Sequence, residues 1–96
     1  MNIGLDYDDT ITRDPAMWLS VISTMQNAGH KVYIVTWRTK EECAEIPRDV
    51  LLMVDGTHPT SRKAKEKYMY NQGVRIDVWI DDNPSAILYR MQGHEE

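Results

Sequence analysis

Residues 3–10 read Ile-Gly-Leu-Asp-Tyr-Asp-Asp-Thr, an apolar run followed directly by an acidic cluster. A run this short is still long enough for a buried strand. Residues two apart on an extended chain point the same way, so Asp6 and Asp8 can face one pocket. One carboxylate can then act as a nucleophile while the other moves a proton. The stretch therefore predicts a strand with candidate catalytic carboxylates at its carboxyl end.

A helix is predicted to follow this cluster. Asp14 and Pro15 are typical of a helix start, with Asp14 as the cap and Pro15 in the first turn. Apolar residues then recur at spacings of three and four, namely Trp18, Val21, Ile22, Met25 and Ala28. This spacing gives an amphipathic helix with one stripe facing a core, and Gly29 is the expected stop.

Three more strands are predicted further along the chain. Lys31 to Thr36 is β-branched and aromatic, and the apolar runs Val50 to Val54 and Ile76 to Ile80 follow it. Because strands alternate with helical stretches, the sequence predicts an α/β fold, a three-layer α/β/α sandwich around a parallel, Rossmann-like sheet. Ligands bind such sheets beyond the carboxyl ends of the strands. Four segments are therefore expected at one edge: residues 6–10, 36–38, 55–57 and 81–83.

Two further helices are predicted. Thr60 or Ser61 can cap the first, which Gly73 would stop. Pro84 begins the second, which runs to about residue 91, and Asn83 is its expected cap.

Composition and charge fit a single soluble domain covering residues 1–96. The net charge of -4 gives no general sign of nucleic-acid or membrane binding. Cys43 is the single cysteine, which excludes an intrachain disulfide and a cysteine zinc site. No apolar run approaches the ~20 residues of a membrane span, and residues 1–4 lack the features of a signal peptide. A cytoplasmic protein is expected, with residues 93–96 frayed.

Acidic side chains are expected to meet at the edge of the sheet. Asp6, Asp8, Asp81 and Asp82 would lie together if the first and fourth strands are neighbours. Such a cluster repels itself, which raises pKa values or attracts a cation. A hard divalent ion that prefers oxygen ligands fits best, so Mg²⁺ is the expected metal.

Groups that suit phosphoryl transfer are expected beside these acids. Thr36 would supply a hydroxyl at the end of the second strand, and a lysine from the basic segment 62–67 would supply a positive charge. Together with Mg²⁺, these groups would balance the charge on the oxygens of a phosphoryl group in transfer.

In its motifs the chain resembles the haloacid dehalogenase-like (HAD) superfamily of phosphohydrolases. Residues 6–10 look like its DxDxT signature, and residues 32–36 are similar to its second motif, an apolar strand ending in Thr or Ser. Residues 78–82 resemble its fourth motif, a strand ending in an acidic pair. The third motif is a lysine near a helix start, for which Lys65 is the first choice and Lys63 the second. The motifs occur in the family's order and span nearly the whole chain.

The resemblance implies a mechanism, Mg²⁺-dependent hydrolysis of a phosphomonoester by a HAD-type phosphatase. Asp6 would form an aspartyl-phosphate. Asp8 would protonate the leaving group and then activate water. Thr36 and Lys65 would hold the phosphoryl group.

The resemblance also implies a set of metal ligands. Mg²⁺ would be held by the Asp6 carboxylate, the backbone carbonyl of Asp8 and one acid of the fourth motif. Asp82 is favoured as the direct ligand with Asp81 behind it, although the reverse order also fits.

Many members of the superfamily carry a cap domain, for which this chain has no room. Residues 11–14 and 55–60 are the available gaps, and neither can hold a lid. An open site admits large substrates and excludes water poorly. Together with the basic segment around Arg62, it favours a nucleotide or nucleic-acid phosphate end as substrate. A second copy of the chain, in a homo-oligomer, can supply the missing cover.

Two alternatives to a self-contained enzyme stay open. The chain can be a catalytically silent module that binds phosphate or Mg²⁺, although it retains both Asp6 and Asp8. It can also be a subunit of a larger assembly whose catalysis needs a neighbour. Part of the pattern also suits plain structure, because Asp is common after strands and residues 81–84 suit a turn and helix cap.

Overall fold

The computed structural model describes residues 1–93, within which four strands and five α-helices form one sheet and its covering helices. The strands are β1 (Asn2–Leu5), β2 (Lys31–Thr36), β3 (Gly56–Pro59) and β4 (Val78–Ile80). The helices are α1 (Pro15–Asn27), α2 (Lys40–Cys43), α3 (Arg48–Met53), α4 (Lys65–Asn71) and α5 (Ser85–Leu88). A 3-10 turn, Ile11–Arg13, joins β1 to α1. The fraying predicted for residues 93–96 falls, except for residue 93, outside the described range.

The sheet is parallel throughout, with strand order β3-β2-β1-β4. β1 lies between β2 and β4, so that Leu5 is opposite Ile34 on one side and Ile80 on the other. The chain moves outward from β1 through β2 to β3 and then crosses to the other side of β1 to form β4. The winding direction therefore switches between β1 and β4, which is where open α/β sheets bind ligands. The predicted α/β class, the parallel sheet and the adjacency of the first and fourth strands are confirmed.

The prediction of a third strand at Val50–Val54 is wrong. These residues form α3 and its C-terminal cap, and the N–H of Val54 donates to the Val50 carbonyl. A strand would bury alternate residues, but Leu52 is 71% exposed while Val50 and Val54 are buried. Burial at a spacing of four is the helical period.

The third strand, β3, is instead a polar strand at the edge of the sheet, and no apolar run in the sequence indicates it. Pro59 ends it, and an edge position tolerates a residue without an N–H. Asp55, just before β3, accepts the N–H of Val32 at 2.8 Å. Residues 55–57 therefore lie towards the amino end of β2, and the prediction that they join the site is wrong.

α1 begins and ends as predicted. The Asp14 carboxylate accepts the N–H of Met17 at 3.3 Å, and Pro15 occupies the first turn. After the helix, Gly29 has a φ of +93°, the left-handed conformation that glycine adopts without a steric cost.

α4 and α5 begin later than predicted, and the predicted caps do not cap them. α4 starts at Lys65, because the Thr60 hydroxyl donates to the Lys63 carbonyl at 2.9 Å and closes a loop before the helix. The side-chain Oδ1 of Asn83 accepts a hydrogen bond from the Ser85 hydroxyl at 2.7 Å, and only the backbone carbonyl of Asn83 accepts an N–H of α5, that of Ala86 at 3.0 Å.

The main core lies between the sheet and the helices that follow β1 and β2. Its buried residues come from β1 and the turn after it, β2, the 3-10 turn, α1 and the α2–α3 region: Ile3, Leu5, Tyr7, Ile11, Ile22, Val32, Ile34, Cys43, Ile46, Val50 and Val54. Gly4 alternates with the core residues of β1, and a Cβ there would lie 2.7 Å from the Trp79 ring. No helix among residues 1–93 combines the length and the apolar character needed to cross a bilayer.

Candidate active site

The carboxyl ends of β1 and β4 bring three carboxylates together. The N–H of Asp6 donates to the Ile80 carbonyl at 2.9 Å, so the pairing of the two strands extends to the first residue of the acidic cluster. Asp81 and Asp82 follow directly. Carboxylate oxygens of Asp6, Asp81 and Asp82 lie within 4.8 Å of one another.

Lys65 lies between two of these carboxylates. Its Nζ donates to Asp6 Oδ1 at 2.9 Å and to Asp81 Oδ2 at 2.6 Å, and its side chain is only 2% exposed. A buried ammonium is tolerated when it is paired and hydrogen-bonded in this way. Lys63, the alternative lysine, is exposed. Lys65 is therefore the lysine that the fold brings to the acidic cluster.

Asp81 and Asp82 differ in how much of their binding capacity is already used. Both Asp81 oxygens are engaged, Oδ2 by Lys65 and Oδ1 by the N–H of Asn83 at 2.9 Å. Asp82 is exposed; it accepts a long hydrogen bond, 3.4 Å, from the Thr10 hydroxyl and shares a hydrogen bond with Asp6. Asp82 therefore has more free acceptor capacity for a cation.

Asp6 is buried in a setting that disfavours its charge. Burial raises the pKa of Asp6 to about 7, a hydrogen bond shared with Asp82 adds to this, and Lys65 opposes it. The Thr10 hydroxyl also donates to Asp6 Oδ2 at 3.1 Å. Clustered carboxylates with hard oxygen donors are the ligand set that suits Mg²⁺, so these residues fit the expected metal.

Thr36 ends β2 beside this group. Its side chain lines the same cleft as Asp6 and Lys65, although the residue is only 1% exposed. Its Oγ1 accepts the N–H of Arg38 at 3.2 Å. The hydroxyl therefore lies at the predicted edge of the sheet.

Asp8 lines the cleft as well, but its carboxylate is bound to Arg38. Arg38 Nε donates to Asp8 Oδ2 at 3.0 Å and Nη2 donates to Oδ1 at 2.9 Å, a bidentate ion pair. The hydrogen bond to Asp8 raises the pKa of Arg38. Asp6 and Asp8 thus share a cleft while having different cationic partners.

A second ion pair between an arginine and a carboxylate borders the cleft. Arg62 donates to both carboxylate oxygens of Glu42, and this pairing lowers the pKa of Glu42 to about 2. Ser61 and Arg62 have φ values of +54° and +69°, a left-handed conformation that side chains rarely adopt. Their N–H groups donate to the carbonyls of Arg38 and Trp37, which holds this strained loop against the end of β2.

The cleft has a volume of about 370 Å³ and is predominantly acidic. In the described part of the chain, the carboxylates that line it outnumber the cations. The acids are Asp6, Asp8, Asp9, Glu42, Glu45, Asp81 and Asp82, and the bases are Arg38, Arg62 and Lys65. The cleft therefore favours a bound metal cation more than a polyanion.

Lys65 was expected beside the acidic residues, but their other partners, Thr10 and Arg38, were not. Thr10 belongs to the quoted signature, yet its hydrogen bond to Asp6 was not predicted. The start of α2 had a readable signal, the capping box of Thr39 and Glu42, in which the N–H of Thr39 donates to Glu42 Oε1 at 2.8 Å. No pattern in the sequence indicated that Arg38 binds Asp8.

Comparison of the chain with models of protein families, with curated proteins and with solved structures gives no match. The geometry of the cleft is therefore the basis for proposing a function.

Proposed function

We propose that this protein is a Mg²⁺-dependent phosphomonoester hydrolase of the HAD type, a three-layer, capless domain with Asp6 as its nucleophile. One observation supports the proposal most strongly. Asp6 contacts Lys65 and lies within 4.8 Å of Asp81 and Asp82 at the switch point of a parallel sheet. A carboxylate nucleophile, a metal-binding acid and a phosphate-binding lysine are the groups that phosphoryl transfer through an aspartyl-phosphate needs.

The chain offers Mg²⁺ the Asp6 carboxylate, the Asp8 carbonyl and Asp82. Asp81 is assigned the supporting role, because Lys65 and the N–H of Asn83 occupy its oxygens. The metal would supply charge neutralisation for the phosphoryl oxygens.

The reaction uses two displacements at phosphorus. In the first, an Asp6 oxygen attacks phosphorus, the ester P–O bond breaks, and the leaving oxygen takes a proton from Asp8. In the second, water gives a proton to Asp8 and attacks phosphorus, which releases phosphate and restores the Asp6 carboxylate. Lys65 and Thr36 donate hydrogen bonds to the phosphoryl oxygens in both steps.

The direct test is hydrolysis of an aryl phosphate by the full chain, first stripped with EDTA and then titrated with Mg²⁺. Asp6→Asn should lower kcat by about 10³-fold or more, because the amide is not a nucleophile. Asp49→Asn is a matched control, since Asp49 is exposed and lies outside the cleft. An acid-quenched phosphoryl-enzyme that forms with the wild type and is absent from Asp6→Asn would identify the nucleophile. Mg²⁺-dependent turnover that survives Asp6→Asn would overturn the proposal.

A second candidate function is a silent module that binds Mg²⁺ and phosphate without turnover. The bidentate pairing of Asp8 with Arg38 favours it, because a carboxylate held by a guanidinium is a stable structural contact. Calorimetric binding of Mg²⁺ and inorganic phosphate, with no turnover of any phosphate ester tested, would decide for this candidate. Activity that falls as the protein is diluted would instead favour a subunit that needs a neighbour.

The preference for a nucleic-acid phosphate end has weaker support than the chemistry. Arg62, which contributed to that preference, is already paired with Glu42, and acids outnumber bases in the cleft. The nucleic-acid substrate, a covering homo-oligomer and a cytoplasmic location stay predictions.

A further inference from the structure

We propose that Arg38 is a positioning residue, which orients the Asp8 carboxylate for proton transfer to the leaving group. This inference rests on the proposed function, because it assumes that Asp8 is the proton donor. Arg38 is assigned no contact with the substrate.

The geometry of the pair fixes both the place and the plane of the carboxylate. Two parallel hydrogen bonds, of 3.0 and 2.9 Å, join Arg38 to the two oxygens of Asp8. A single hydrogen bond would leave the carboxylate free to rotate, whereas the bidentate fork does not. One lone pair on each oxygen is used, so acceptor sites for a transferable proton are left.

Arg38 is itself held by three separate parts of the fold. The side-chain Nη1 of Arg38 donates to the backbone carbonyl of Glu42 in α2 at 2.9 Å. The backbone N–H of Arg38 donates to Oγ1 of Thr36, at the end of β2, at 3.2 Å. Its Cζ lies 5.0 Å from the centre of the Tyr7 ring, a cation–π distance. A side chain restrained in this way can transmit its position to Asp8.

Asp8 needs such a restraint, because its own surroundings do not supply one. Its side chain is 48% exposed, and Arg38 is its hydrogen-bond partner among the described residues. Without Arg38, the carboxylate would sample several rotamers in a cleft open to water. Misplacement of a catalytic group by about 1 Å can cost about 100-fold in rate.

The test compares two phosphate esters that differ in their need for a proton. Phenyl phosphate has a poor leaving group that needs protonation, while 2,4-dinitrophenyl phosphate has a good one that leaves without it. The rate of phosphorylation of Asp6 is measured in a single turnover with Mg²⁺. Arg38→Met should slow this step about 10- to 100-fold with phenyl phosphate and less than about threefold with the dinitrophenyl ester. Arg38→Lys keeps the charge without the fork and should recover only part of the loss.

Arg62→Met is the matched control, because Arg62 makes a bidentate pair at the same cleft but with Glu42. Arg62→Met should change the rate of phosphorylation of Asp6 by the same factor with the two esters. The double variant Asp8→Asn/Arg38→Met should be no slower with phenyl phosphate than Asp8→Asn alone, because the two residues act as one unit. Thermal unfolding of each variant checks that it folds.

Losses of equal size with the two esters, or additive losses in the double variant, would overturn the role of Arg38 and leave the phosphatase proposal standing. Absence of any phosphoryl-enzyme from the wild type with the dinitrophenyl ester would overturn both proposals. The two failures are therefore distinguishable.

Discussion

At the scale of single residues, the buried ammonium of Lys65 links two strands through their acids. Its Nζ contacts Asp6, directly after β1, and Asp81, directly after β4, and its side chain is almost completely buried. Removing one partner of a buried ion pair leaves the other charges without compensation. Lys65 is therefore expected to contribute to stability, in addition to the phosphate binding proposed for it.

Lys65→Met should lower the free energy of unfolding by about 3–5 kcal/mol, because it leaves two carboxylates unpaired in the interior. Urea unfolding in EDTA measures the loss. Lys63→Met is the control and should change stability by no more than about 0.5 kcal/mol, since Lys63 is exposed. Equal effects of the two substitutions would contradict the assigned role of Lys65.

The pKa of Asp6 predicts how stability depends on pH when no divalent cation is present. Burial raises this pKa from 3.8 to about 7, so the folded state holds the proton more tightly than the unfolded state does. The protonated carboxyl contributes its full stabilisation below pH 3.8 and loses it as the pH rises through about 7.

Urea midpoints measured between about pH 4 and pH 8 in EDTA should therefore fall with pH more steeply for the wild type than for Asp6→Asn, which cannot titrate. Parallel curves for the two proteins would show that Asp6 does not titrate in this range.

The acidic cluster and the lysine beside it, Lys65, could be predicted from the sequence, but the contact of Asp8 with Arg38 could not. Asp6 and Asp81 follow recognisable strands, and parallel pairing of neighbouring strands brings their ends together whatever the loops do. The contact between Arg38 and Asp8 depends on the path of the chain after β2 and on the rotamer of a long side chain. Neither quantity has a local sequence pattern.

At the scale of secondary-structure elements, Gly4 determines how closely β1 can approach the aromatic residue of β4. A Cβ at this position would meet the Trp79 ring at 2.7 Å, closer than van der Waals contact allows.

Gly4→Ala should destabilise the fold by about 1–3 kcal/mol, because the ring must shift or β4 must move away from β1. The measurement is urea unfolding of the wild type and of Gly4→Ala side by side. Trp79 fluorescence, measured in proteins in which Trp18 and Trp37 are replaced by Phe, reports whether the ring has moved. A Gly4→Ala protein as stable as wild type would show that the ring relocates without cost.

Elements whose apolar residues recur at a regular spacing were easier to predict than elements without such a spacing. α1 has a cap, an apolar stripe and a terminal glycine, and its bounds agree with the prediction. α3 has an apolar run too short to separate a helix from a strand by composition, and only the exposure of Leu52 reveals the helical period. β3 has no apolar pattern, because edge strands can be polar on both sides.

At the scale of the whole molecule, the distribution of charge predicts which substrates the cleft accepts. Its carboxylates outnumber its cations, and the arginines at its border are already paired. A long polyanion would meet repulsion that a small ester with a neutral alcohol does not meet.

The value of kcat/KM should therefore be higher for the phosphate ester of a small neutral alcohol than for an oligonucleotide 3′-phosphate. Added salt should narrow the difference, because it screens repulsion between exposed charges. Higher efficiency on the oligonucleotide at low salt would contradict this prediction and support a nucleic-acid substrate. The opposite result would eliminate the nucleic-acid substrate.

The three-residue strand β4 borders the sheet, and Asp81 and Asp82 are tethered to its end. Because β4 is so short, only a few hydrogen bonds must break for it to separate from β1, and β1, β2 and β3 stay paired. Such a partial opening would move Asp81 and Asp82 away from Asp6 without unfolding the rest of the protein. Heating should consequently abolish the proposed activity before the helices unfold, and amide protons along this edge should exchange with deuterium sooner than those of the central strands.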